Sequence, residues 1–182
     1  PRALSNVARR AMSAGDYPAA ERLYLKIVSA FPKDRAAKGA QGQLKSLKML
    51  GKEAPSIQIS EWLDEDLGSL EALRGKNVAL VFWATWCPAC RRTMPKIQEF
   101  YERNKGDDFV MLALTRHSKG QTTQAVRDYM KENGYTFPVA VDPGSSSRAY
   151  GVTGIPAGVI VDKSGKVVFR GHPANFNDNL LK

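Results

Sequence analysis

The chain has 182 residues, room for one domain or one domain with a small appendage. With 43% hydrophobic and 25% charged residues it reads as globular, no apolar run approaches the ~18 residues of a membrane span, and two cysteines exclude a disulfide-rich scaffold and a four-cysteine zinc site. The net charge of +9 is uneven, with eleven Lys/Arg against four Asp/Glu in residues 1–54 and sixteen against fourteen in residues 55–182.

Such a basic front suits anionic lipid, nucleic acid or an acidic partner, or is simply a solvated helix surface. The chain starts at Pro1 rather than Met, so any targeting segment is expected upstream. Pro1 to Ala14 has no apolar core and is no signal peptide. Leu4, Val7, Ala8 and Ala11 recur at helical spacing until Gly15-Asp16 breaks the pattern. A second helix carries Ala20, Leu23, Tyr24, Ile27, Val28 and Phe31, and Pro32 ends it. A third is predicted over Asp34 to Leu50, with Asp34 as its N-cap.

The segment GDYPAAERLYLKIVSAFP resembles a tetratricopeptide repeat through Gly15, Tyr17, Ala20, Tyr24 and Pro32. It departs at Leu4, where that repeat often has Trp, and at Ile27, where a small residue is usual; a plain helical hairpin is the alternative. One repeat cannot bury its own apolar faces, so the resemblance implies a protein partner or self-association through residues 1–53. Gly51 to Pro55 reads as the link to a second part, residues 54–182.

In that part Val78 to Trp83 and Phe109 to Leu114 are nearly continuous in apolar residues, as central parallel strands are. Between them Pro88 to Asn104 is helical, with Met94, Ile97, Phe100 and Tyr101 on one face. A further helix is predicted over Thr122 to Asn133, with Gly134 at its C-terminus. Phe137 to Val141 is a short strand. Gly158–Asp162 and Lys166–Arg170 form a hairpin. The tail from Ala174 to Lys182 reads as the remnant of a last helix. This order gives an α/β sheet with an antiparallel edge.

The chemistry sits in Trp83-Ala-Thr-Trp-Cys-Pro-Ala-Cys90. Two cysteines spaced by two residues follow a strand and open a helix, where unpaired N–H groups favour a sulfur anion at Cys87. Pro88 suits the first helical turn, Cys90 lies one turn on, and Arg91 and Arg92 add positive charge. Pro95 is expected to kink this helix.

This segment resembles the thioredoxin superfamily, and within it the extracytoplasmic TlpA/ResA-like redoxin branch. WATWCPAC, Pro95 and Tyr150-Gly-Val-Thr-Gly-Ile-Pro156 stand at that branch's spacing. So does the lead from Ala54-Pro55 to Leu70-Glu-Ala-Leu-Arg-Gly-Lys76, which looks like its opening hairpin. The resemblance covers residues 54 to about 173. It implies a thioredoxin fold, a central mixed sheet flanked by helices, preceded by a small all-α segment. It also implies a cis bond between Ile155 and Pro156 facing the cysteines, with Ile155 pairing with the substrate chain. Trp83, Trp86, Pro88 and Ala89 would then shape the site. Cys87 is the expected nucleophile and Cys90 the resolving thiol in exchange with protein disulfides or dithiols, and the pair more readily reads as a reductase.

No cofactor is expected beyond a Cys87–Cys90 disulfide, and no metal. An upstream electron donor and a bacterial cell-envelope location are implied, with a membrane reached only through an unseen upstream anchor. Two departures stand out. Val81 occupies the place of the buried acid of thioredoxins proper, and Pro88-Ala89 replaces the Glu that several relatives carry between the cysteines. Zinc would have to recruit His117 and His172, the only histidines. His117, at the end of a core strand, is a candidate to approach the site. His172 follows the last strand, and both read equally as solvated loop residues. A peroxidase of redoxin type would use Thr85 beside a peroxidatic Cys87. A partner-binding scaffold is the other alternative. Nucleic acid is not expected, since no readout motif accompanies the basic front.

Overall fold

In the computed structural model residues 1–182 are described, apart from the side chain of Ser13, and they form two compact units, Pro1–Leu50 and Gly51–Lys182. The first holds α1 (Arg2–Ser13), α2 (Tyr17–Ala30) and α3 (Arg35–Leu47). Asp16 caps α2 by accepting the Ala19 N–H at 3.0 Å, and Asp34 caps α3 through the Ala36 N–H at 2.7 Å. The helices meet through a thin core of Ala8, Ala20, Tyr24, Ile27 and Ala40, in which the alanines let the backbones approach. The last helix stops at Leu47, short of the predicted Leu50, and the chain continues in turns.

The boundary also falls three residues before the predicted one. Gly51 to Glu53 goes with the second unit because its backbone pairs there. The Gly51 N–H donates to the Val167 carbonyl at 2.8 Å, and Val167 N–H donates to Lys52 at 2.9 Å.

The second unit is a six-stranded sheet. Its strands are β1 (Glu61–Trp62), β2 (Asn77–Phe82), β3 (Phe109–Thr115), β4 (Val139–Val141), β5 (Ala157–Val161) and β6 (Val167–Gly171), in the order β1-β4-β3-β2-β5-β6. Strands β2, β3 and β4 run parallel, while β1, β5 and β6 join antiparallel. Every residue of β2 is buried, which is why its sequence is continuously apolar rather than alternating. Between β2 and β3 lies α4 (Pro88–Asn104), and between β3 and β4 lies α5 (Thr123–Asn133), as predicted. Gly134 ends α5 at φ +68°, a left-handed C-cap that favours glycine. α4 continues through Pro95 as one helix of 17 residues. This is the thioredoxin fold, preceded by a three-helix segment.

Four details differ from the sequence reading. No opening hairpin forms; instead the two-residue β1 pairs with β4, through Ser60 N–H to Val141 O at 2.9 Å and Leu63 N–H to Val139 O at 3.0 Å. β4 begins at Val139 and not Phe137, since Pro138 has no N–H to give the ladder. A short helix, α6 (Ser145–Ala149), was not foreseen; Asp142 caps it by accepting the N–H groups of Gly144, Ser146 and Ser147. The tail folds as two 3-10 turns, Pro173–Asn175 and Asp178–Leu181, not as an α-helix. The first turn lays Phe176 against Gly158 of β5, where any Cβ would meet the ring at 2.6 Å.

Candidate active site

Four residues after β2, the chain turns into α4 with Cys87 as its N-cap. The Cys87 sulfur accepts the Cys90 N–H at 3.2 Å, so it takes the place a Ser or Asp oxygen fills at an ordinary helix start. Pro88 occupies the first helical position, where no N–H is needed. One turn in, Cys90 is fully buried. Burial first, and then its hydrogen bond with the Cys87 sulfur, push the Cys90 thiol up to about 12. Both cysteines are free thiols here, the dithiol form.

The turn before β5 faces this pair. The Ile155–Pro156 bond is cis, and the Cys87 thiol reaches the Ile155 carbonyl at 3.7 Å. Trp83 is buried and packs on Tyr129 at 5.7 Å between ring centres. Trp86 is half-buried, with Lys119 Nζ 4.0 Å from its ring centre. Among the described residues the indole N–H groups of both tryptophans are buried without a hydrogen-bond partner. Ala89 is half-buried and packs against the core around the cysteines, while Pro88 is exposed. The structure therefore gathers Trp83, Trp86, Cys87, Pro88, Ala89, Cys90, Ile155 and Pro156 in one place.

Val81 is buried within β2, in the place where thioredoxins proper carry an acid. The histidines are engaged elsewhere. His117 Nε2 lies 3.0 Å from Thr123 Oγ1 and 4.0 Å from the Glu61 carboxylate, and His172 Nδ1 accepts the Ala174 N–H. Burial and the nearby Lys96 lower the His172 pKa.

Sequence reasoning missed a buried network behind the cysteine loop. Gln121 Oε1 accepts both the backbone N–H and the hydroxyl of Thr85, each at 2.7 Å. Its amide nitrogen donates to Thr115 Oγ1 at 2.7 Å and to the Arg116 carbonyl at 2.9 Å. Thr115 Oγ1 donates in turn to the Trp83 carbonyl at 2.9 Å. Two residues that carry no motif thus pin the segment leading into Cys87. The only signal was a polar Gln amid loop residues just before α5. In this network the Thr85 hydroxyl proton is given to Gln121 Oε1.

A sulfur that caps a helix start, a second thiol fully buried one turn on and a backbone carbonyl opposite make a site for two-electron exchange with a disulfide. Comparison with known proteins agrees. Residues 49–179 match the Redoxin family. The chain is 37% identical over 125 residues to the thiol-disulfide oxidoreductase ResA of Bacillus thuringiensis, covering 68% of this chain and 70% of that one. Among solved structures, a thiol:disulfide interchange protein of the thioredoxin family from Chlorobium tepidum superposes with TM-score 0.57 at 29% identity, over 71% of this chain and 92% of the other. The exposed lipoprotein thioredoxin Etrx1 of Streptococcus pneumoniae does so with TM-score 0.55 at 31% identity, over 65% and 89%.

Proposed function

The chain belongs to the Redoxin family and is a thiol-disulfide oxidoreductase acting on protein disulfides, and we propose that it works as a reductase, with Cys87 as nucleophile and Cys90 as resolving thiol. The observation that carries this assignment is the asymmetry of the pair. Cys87 sits at the helix start opposite Ile155, and Cys90 is held as a neutral thiol by its burial.

Cys87 as thiolate attacks one sulfur of the partner disulfide. A mixed disulfide forms, and the partner's other sulfur leaves as a thiolate. Cys90 then gives up its proton and attacks the Cys87 sulfur. The mixed disulfide breaks, the partner departs as a dithiol, and Cys87–Cys90 becomes the disulfide. Two electrons have passed to the partner, and an upstream dithiol donor restores the enzyme. Since Val81 supplies no carboxylate, the thiolate released in the first step is the base closest to hand for the Cys90 proton. The Ile155 carbonyl and its turn receive the partner's backbone.

Residues 1–53 serve as a docking or self-association segment of tetratricopeptide type. Their thin alanine core and basic surface support that role. An extracytoplasmic site of action, in the bacterial cell envelope, is supported by the likeness to the exposed lipoprotein of S. pneumoniae.

The test is the reduction potential of the Cys87–Cys90 pair against a glutathione or dithiothreitol buffer. A value near roughly −270 mV or lower supports a reductase; a value near roughly −120 mV makes the protein an oxidant instead.

A further inference from the structure

A cleft of about 220 Å³ opens beside the cysteine pair, between the turn after β3 and the loop ending at Ile155. Its lining includes the buried Phe82 and Leu114 and the more exposed Trp86, Arg116, Val152 and Thr153. Ile155, whose carbonyl faces the Cys87 thiol, also lines it.

The charge around this cleft is one-sided. Its acid is Asp142, which is buried, and its two oxygens are taken by the N–H groups that cap α6. Its base is Arg116, which is exposed and makes no ion pair among the described residues. The Arg116 guanidinium lies over Gly144, where an added Cβ would meet it at 3.0 Å. Lys119 reaches the cleft through Trp86, one of its lining residues. The turn that holds Lys119 is left-handed, with φ +53° there and +76° at Gly120, and it carries the ammonium over Trp86.

Glu61 of β1 and Glu99 of α4 are both engaged, the first with Thr123 at 2.7 Å and with His117, the second with Arg103 at 3.2 Å. Residues 55–182 carry sixteen Lys/Arg against fourteen Asp/Glu, so this is a local concentration of positive charge and not a reflection of a basic domain.

We propose that the cleft is a specificity site for acidic client segments. An Asp or Glu flanking the client's disulfide meets Arg116 and Lys119 while the neighbouring cysteine meets Cys87. The inference rests on the reading of Cys87 as the attacking sulfur. A guanidinium binds a carboxylate with paired, charge-assisted hydrogen bonds, and a local field of one sign raises the rate of encounter with an oppositely charged partner.

The experiment uses the full chain in its reduced form. Three cyclic peptides, each with one internal disulfide flanked by Asp, Asn or Lys, are reduced under stopped-flow conditions. Each rate is divided by that of dithiothreitol on the same peptide, which removes intrinsic differences in disulfide reactivity. The Asp peptide is expected to react about tenfold faster than the Asn peptide, and the Lys peptide slowest. Raising salt from about 0.02 to about 0.5 M should erase most of that spread. The R116E/K119E variant should invert the order, and R116Q/K119Q should bring the Asp-to-Lys ratio towards one; a ratio is insensitive to a general loss of rate. Equal rates for the three peptides overturn the proposal, as does an Asp preference that survives in both variants. Hydroxyethyl disulfide, small and uncharged, separates the two levels. If it too goes unreduced, the oxidoreductase reading falls and the specificity site with it; if it reacts while the peptides are equal, only the specificity site falls.

Discussion

The two units solve the same problem, burying apolar surface, at different scales. In Pro1–Leu50 three helices close over Ala8, Ala20, Tyr24, Ile27 and Ala40, and the chain neighbours in that core are local. In Gly51–Lys182 strands far apart in sequence are brought side by side, and the core that results encloses Cys90 itself. Chemistry resides in the second because a thiol can be desolvated only where the surrounding core is deep. The first has too little interior for that, and what it offers is surface.

The sharpest test of this contrast is at the cysteines. Cys87→Ser should bring dithiothreitol-driven insulin reduction down to the uncatalysed rate, although the helical unit is untouched. In the same variant Cys90 should resist iodoacetamide. With Cys87 in place its value of about 12 lies well above the ordinary value of 9.0. Burial is the main cause and survives the substitution. Alkylation should keep accelerating beyond pH 10, and a plateau by pH 9 would contradict the assignment. The sign for stability follows, because folding favours the neutral thiol. Its contribution is whole below about pH 9 and is lost as pH rises towards 12.

Core truncations come next. Leu80→Ala in β2 and Ile27→Ala in α2 each remove a side chain with no exposure, and each should cost about 2–5 kcal/mol. The three tryptophans, Trp62, Trp83 and Trp86, all lie in the second unit. Leu80→Ala should therefore shift the denaturant midpoint read by tryptophan fluorescence. Ile27→Ala should shift only the helical signal in far-ultraviolet circular dichroism. If each variant moves both signals together, the units unfold as one and the contrast fails.

A smaller effect is expected at Gln121→Ala, which strands the N–H and hydroxyl of Thr85 and should cost about 1–3 kcal/mol in the same fluorescence transition. Insulin reduction should slow as the segment before Cys87 loosens. Unchanged kinetics would make the network a matter of stability alone. Smallest of all, Asp34→Ala removes the cap of α3 and should lower the helical transition by about 1 kcal/mol.

Much of this architecture was legible in the residues. Continuous apolar runs marked β2 and β3, and Pro88 and Gly134 bounded helices that the structure places at Pro88–Asn104 and Thr123–Asn133. Asp34 was readable as a cap because its chemistry is local. What escaped was set by contacts distant in sequence. β1 has only two residues and exists because β4 lies beside it, 77 or more positions on. α6 reads Ser145-Ser-Ser-Arg-Ala149, with no apolar period; its helix is held by Asp142 from outside. Likewise Cys87 and Cys90 announced themselves by spacing, whereas Gln121 acquires a role only through Thr85, 36 residues earlier. The placement of Arg116 in the cleft with Ile155, and of Lys119 over Trp86, was invisible for the same reason.

The short pairing of Gly51 to Ala54 along β6 has a bearing on how such a protein keeps company with clients that are not fully folded. A sheet's outermost strands present unpaired N–H and C=O groups that any extended chain can zip onto, the usual start of aggregation. Here Gly51 and Lys52 pair with Val167 at the start of β6 and Ala54 with Gly165 in the turn before it, and β1 caps the opposite margin with a strand too brief to serve as a template. Unfolded polypeptide is thereby left a shorter stretch of either margin to pair with. It can engage the molecule through the sulfur at the mouth of the sheet, and leave again once the exchange is done.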